Sequence, residues 1–183
     1  MGILEWFGIG RKANDAGGPG TEVVQRIASA LAHLQAHEAR YLAAFAYMLG
    51  RAANADHTID GDETRAMVGI VMREGGLDEE QATLVVEIAQ RQNALFRGTE
   101  DFRVSQEFAE ISTPEQKLAL LRCLFAVSAA DEAVVTAEDN EIRRISVELK
   151  VPYPDFIAAR AAVREKLAVL KPGAGIRPAE SAG

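Results

Sequence analysis

Apolar residues recur every three or four positions from Val24 to Leu170, and no alternating β-branched run interrupts them. That spacing predicts helices throughout and no sheet. Val24, Ile27, Leu31 and Leu34 mark a first helix, and Leu42, Phe45, Leu49 and Ala52 continue the stripe in a second. No proline or glycine separates them, yet one helix across both would be about 50 Å long, more than a domain of this size covers. A break is placed near His37. Asp60 as N-cap with Glu63 three residues on forms a capping box that opens a third helix, which stops at Gly75 and Gly76.

Leu77 and Asp78 start a fourth helix, with Leu84, Ile88 and Leu95 facing inward, and Thr99 opens a short fifth carrying Val104, Phe108 and Ile111. "TPEQ" at 113 to 116 is a start signal for the sixth: an N-cap threonine, proline at the first helical position, and a glutamine that reaches back. Thr136 begins the seventh, with Ile142, Ile145 and Leu149 on one face. "PYPD" ends it, and an eighth runs from about Pro154 to Leu170 behind Phe156, Val163, Leu167 and Leu170. Residues 10 to 20, "GRKANDAGGPG", read as a flexible linker, and the tail from Lys171 has the same character. The chain thus divides into an apolar tip with linker over 1–20, a folded domain over 21–170 and a tail over 171–183.

The chain also repeats itself. "NADHTIDGDE" after the second helix has a counterpart in "AADEAVVTAED" after the sixth. Each unit is an apolar helix ending in Ala-Asp, a short loop, a capped amphipathic helix and one more helix. Two three-helix units, neither able to bury its apolar face alone, pack most economically on each other about a pseudo-twofold axis. The expected fold is an all-α single-domain bundle of about eight helices.

"YMLGRAANADHTIDGDETRAMVGIV" and, more closely, "TPEQKLALLRCLFAVSAADEAVVTAEDNEIRRISVELKVPYPDFIAAR" resemble the tellurite-resistance TerB-like family, a helical domain also found at the front of some membrane-anchored DnaJ-like co-chaperones. The resemblance covers most of the folded body. It implies a helical bundle of two related halves, no catalysis, and a role in stress responses, including tellurite resistance, through metal and protein contacts. The family's functional positions are acidic, and they match Asp56 and Glu63 in the first half and Asp131 and Glu138 in the second. Where the family has glycine after the aspartate, this chain has His57 and Glu132. If that position needs positive φ, a Cβ there costs about 1 kcal/mol.

The residues themselves permit a metal without requiring one. Counted as a calcium loop from Asp56, positions one, three, five and six are Asp56, Thr58, Asp60 and Gly61, but position twelve, which must supply a bidentate glutamate, is Met67. The EF-hand reading fails. There remains a group of hard oxygen ligands, Asp56, Asp60 and Glu63, suited to calcium or magnesium before zinc, with a second group of Asp131, Glu132, Glu138 and Glu141. The other reading is that Asp60 only caps the helix while Asp62 and Glu63 favour its positive end. His33 and His37 stand at i, i+4 as two zinc ligands would, but the metalloprotease pattern needs glutamate where Leu34 stands. No histidine follows a glutamate by three residues, which removes the di-iron bundle pattern, and no phosphate loop or nucleophile elbow occurs. No enzyme is expected.

Composition narrows the partners. A net charge of −7 with no basic block repels a phosphate backbone, so nucleic acid is excluded as a ligand and a protein partner is expected. The single Cys123, inside "LALLRCLFAV", reads as a buried thiol in a reducing compartment, and the cytoplasm is the expected location. The tip "ILEWFGI" is too short to span a bilayer and its basic residues follow the apolar run, unlike a signal peptide. Its Trp6 and Phe7 leave two roles open: folding back on the bundle, or anchoring in a partner groove or at a membrane surface.

Overall fold

A computed structural model of the chain describes residues 29–52, 61–91, 101–130 and 136–170, with backbone alone at 101, 136–138 and 167–170. The tip and linker, the tail and the two acidic loops lie outside the described residues. The described residues include, in order, α1 (Ala36–Ala52), α2 (Gly61–Gly75), α3 (Glu79–Gln90), α4 (Asp101–Ile111), α5 (Pro114–Ala130), α6 (Thr136–Glu148) and α7 (Tyr153–Leu170). Residues 29–33 are also helical, and the described residues contain no strand. The fold is an all-α bundle, as the apolar spacing predicts.

Local chemistry sets the helix ends. Thr113 and Gln116 make the reciprocal cap expected of "TPEQ": the Thr113 N–H donates to Gln116 Oε1 at 2.8 Å, and the Gln116 N–H donates to Thr113 Oγ1 at 3.2 Å. Asp78 and Gln81 build the same box at the start of α3. Helix α2 ends because Gly76 takes φ 69°, its N–H closing back on the Met72 carbonyl at 3.1 Å. Helix α6 ends in a Schellman turn, the Val151 N–H reaching Ser146 O at 2.9 Å and the Lys150 N–H reaching Val147 O at 3.0 Å. The left-handed position there is Lys150, at φ 58°.

Helices α1 and α5 form the centre. The most extensive contact is α1 on α3, and α1 also packs against α4, α5 and α6, while α5 packs against α2, α6 and α7. Helix α2 packs on both α3 and α5, and α6 on α1 and α4. Every residue of α1 from Tyr41 to Gly50 is buried, so this helix is enclosed on all sides and exceeds the single stripe expected of it. Tyr41, Phe45 and Phe108 join α1 to α4 with ring centroids 5.6 to 6.3 Å apart. Each such ring removed from water contributes roughly 1.5–3 kcal/mol. A Cβ on Gly75 would stand 3.3 Å from Cys123 Sγ and 3.4 Å from Phe45 Cζ, so glycine is what lets α2 approach both central helices this closely.

One expectation needs correction, the shared helical face of His33 and His37. The break after the first helical stretch falls near His37 as expected, at Leu34 and Gln35, with the Ala39 N–H donating to the Gln35 carbonyl. His33 and His37 therefore lie on different helical segments, both exposed, and share no face. On α3 the buried face is Ala82, Val85, Val86, Ile88 and Ala89, with Leu84 half-buried against the core, while Leu95 and Thr99 lie outside the described residues. Among the described residues no helix is long and apolar enough to cross a membrane.

Candidate functional site

The acidic turns flank the starts of α2 and α6. Of the candidate ligands, Asp56, Asp60 and Asp131 lie outside the described residues, as does the side chain of Glu138 in the first turn of α6. Glu63 sits in the first turn of α2, exposed, where the positive helix end favours a carboxylate. Its neighbour Asp62 pairs with Arg65 on the same turn, both largely in solvent. Gln90 Nε2 of α3 donates to Thr64 Oγ1 at 2.9 Å and ties this turn to the bundle. Among the described residues no group of three histidine, cysteine or acidic side chains converges as metal ligands.

Of the second acidic group only the Glu141 side chain is described, and it meets an arginine from α1. Arg51, in the last turn of α1, has a side chain only 5% exposed. Its Nε donates to Glu141 Oε1 at 2.5 Å, and its Nη1 and Nη2 donate to Glu148 Oε2 and Oε1 at 2.7 and 3.2 Å. Nη1 also donates to Ser105 Oγ at 3.1 Å, and that hydroxyl donates to Glu148 Oε2 at 2.6 Å. One guanidinium thus joins α1 to α4 and α6 through a planar fork that a lysine could not reproduce. Burial pushes the Glu148 carboxyl up, but hydrogen bonds from Arg51 and Ser105, with the charges of Arg51 and Arg144, outweigh it and hold the group below the usual carboxylate range. Asp139, also on α6, pairs with Arg160 of α7.

A second buried acid sits where α2 meets α7. The Glu74 side chain is 3% exposed and accepts from Lys166 Nζ at 2.9 and 3.0 Å and from Arg73 Nε at 3.2 Å. Burial opposes its charge, yet the two cations hold its pKa below the ordinary value. The Cys123 thiol is fully enclosed and pushed up to about 12, by burial first and by the Glu74 charge second. It is a packing group, as its apolar surroundings in the sequence imply.

Sequence reasoning placed Glu141 among possible metal ligands and passed over Arg51, Ser105 and Glu148. A signal was available: from Tyr41 to Gly50 the chain carries no charged residue, so the first charge to follow, Arg51, is one that the buried end of an enclosed helix must neutralise. A family model described as Tellurite resistance protein TerB matches residues 41–161, a span that runs from α1 into α7 and takes in both acidic turns. Searches of curated proteins and of solved structures return no match.

Proposed function

Because the chain belongs to the TerB family of tellurite-resistance proteins, we propose that it is a non-enzymatic binding module of the stress-response type, working in the cytoplasm. Its acidic loops take a divalent cation and its surface takes a protein partner. The observation that carries this reading is the family match across both loops, together with their hard-oxygen composition: Asp56, Asp60 and Glu63 in the first, Asp131 and Glu138 in the second. Carboxylates flanking a helix N-terminus suit calcium or magnesium, with water completing the shell. The bound ion would supply local positive charge that fixes the loop. The chain's own part is to hold that loop between helices anchored in the core, with Thr64 and Gln90 securing the first turn of α2. Tyr153 and Ile157, one turn apart on α7 and both exposed, support the partner-binding half of the proposal.

A second reading is a scaffold whose acidic turns only cap helices. It is favoured by the caps at Asp78 and Thr113, which work through protein hydrogen bonds alone. Calorimetric titration with calcium, magnesium and zinc separates the two. Heat of binding that Asp56→Asn abolishes supports the cation module. No heat at millimolar ion, and no shift in melting on adding chelator, leaves the scaffold.

A further inference from the structure

Helix α7 is held differently from the rest of the bundle. Among the described residues, α1 to α6 each pack extensively on at least two other helices, whereas α7 packs extensively on α5 alone. It buries one narrow stripe there, Phe156, Ala159 and Val163 at i, i+3 and i+7, with the Phe156 ring 5.4 Å from that of Phe125 on α5. Side-chain pairs tie it to two further helices: Arg160 donates to Asp139 of α6, and Lys166 Nζ donates to Glu74 of α2 at 2.9 and 3.0 Å. Water reaches both cations, Arg160 being 36% exposed and Lys166 55%, so each pair holds less than a buried one would. At the joint, the closing bonds of α6 end at the Val151 N–H and the first bonds of α7 begin at the Pro152 carbonyl, so a swing of α7 about this point breaks neither set.

We propose that α7 is a latch: it lifts off α5 as a unit, pivoting at Val151 and Pro152, while α1 to α6 stay folded, and so uncovers Phe125 together with Asp139 and Glu74. An opening of this kind costs only the contacts of the piece that moves. For α7 those are one apolar stripe and its partly wetted ion pairs, whereas releasing α1 or α5 would uncover the whole core. Even α3, shorter than α7, is fixed more firmly, since it buries Ala82, Val85, Val86, Ile88 and Ala89 and packs on both α1 and α2. The surface that opening frees combines an aromatic ring with two carboxylates, the complement of α7's own Phe156, Arg160 and Lys166.

Native-state hydrogen exchange of the full-length chain, followed amide by amide, tests this. The amides of residues 157–163 in α7 are expected to open together and to exchange at least about tenfold faster than those of residues 120–125 in α5, which wait for the whole fold to open. Phe108→Leu separates a latch from general looseness. Phe108 joins α4 to α1 and stays packed when α7 lifts, so the variant should speed exchange in α5 by about tenfold and leave residues 157–163 unchanged. Should that variant fail to fold, dilute urea on the unaltered chain replaces it: exchange in α5 should rise steeply with urea and exchange in α7 shallowly, because lifting one helix exposes less surface. Equal rates in the two segments would overturn the proposal, as would a Phe108→Leu variant that speeds both by the same factor, or equal urea slopes. Rates graded along residues 157–163 and fastest toward the C-terminus, as in a fraying end, would overturn it too.

Discussion

Replacing Arg51 with methionine keeps the side-chain length and its packing but strands two carboxylates. Glu148 is the more deeply placed, 12% exposed, and Glu141 is 28% exposed, so water reaches only part of the uncovered charge. Removing one partner of a buried pair costs about 3–5 kcal/mol, and the partial exposure of Glu141 puts the expected loss near the lower end, about 3 kcal/mol at pH 7. For a chain of this size that corresponds to a fall in Tm of roughly 6–12 °C. The sign with pH follows from Glu148. Its folded pKa is depressed, so its contribution is present above the unfolded value of about 4.3 and disappears as pH falls through the folded one. In the variant, burial acts on Glu148 with the Ser105 hydroxyl and Arg144, itself 65% exposed, still beside it, and the strandedness is relieved by protonation. The gap between the two proteins should therefore be widest near neutrality and narrow toward pH 4. Thermal and urea unfolding followed by circular dichroism at both pH values measures it. A Tm within about 2 °C of the parent at pH 7, or a gap that widens in acid, would refute the reasoning.

Other outcomes follow from single residues. Lys150→Gly is expected to stabilise the chain by about 1 kcal/mol, because glycine takes φ 58° at the end of α6 without the Cβ penalty; urea unfolding checks it. Glu74→Gln should cost about 1–2 kcal/mol at pH 7 through weakened bonds to Lys166 and Arg73, with the difference closing as pH falls below about 4 and the parent's depressed carboxyl protonates. The Cys123 thiol, enclosed and pushed up to about 12, should stay unmodified by a disulfide reagent in buffer and react fully in denaturant; rapid labelling of the native chain would contradict its placement.

What the sequence made legible was local. "TPEQ" and the Gly75-Gly76 pair mark their helix boundaries because caps and left-handed turns are settled by residues within a few positions. The apolar stripes identified α4, α6 and α7 for the same reason. The Arg51 junction was hidden because its partners stand 54, 90 and 97 residues away, and periodicity carries no information about pairing at that range. An arginine in a last helical turn reads equally well as a solvated charge opposing the dipole. Lys150 escaped notice because a left-handed turn normally announces itself with glycine. The break at Leu34 and Gln35 carries no proline or glycine, so chain geometry alone bounded it to within a few residues. Of the five candidate ligands, four fall where the structure gives no side chain, and only Glu63 could be placed.

The central claim is that the first acidic loop binds a divalent cation. Manganese substitutes at oxygen-rich calcium and magnesium sites and scatters anomalously, so crystals of the full chain soaked in manganese locate any such ion directly. The expected result is an anomalous peak within bonding distance of Asp56, Asp60 and Glu63. A map with no peak at that loop in well-ordered crystals would contradict the claim.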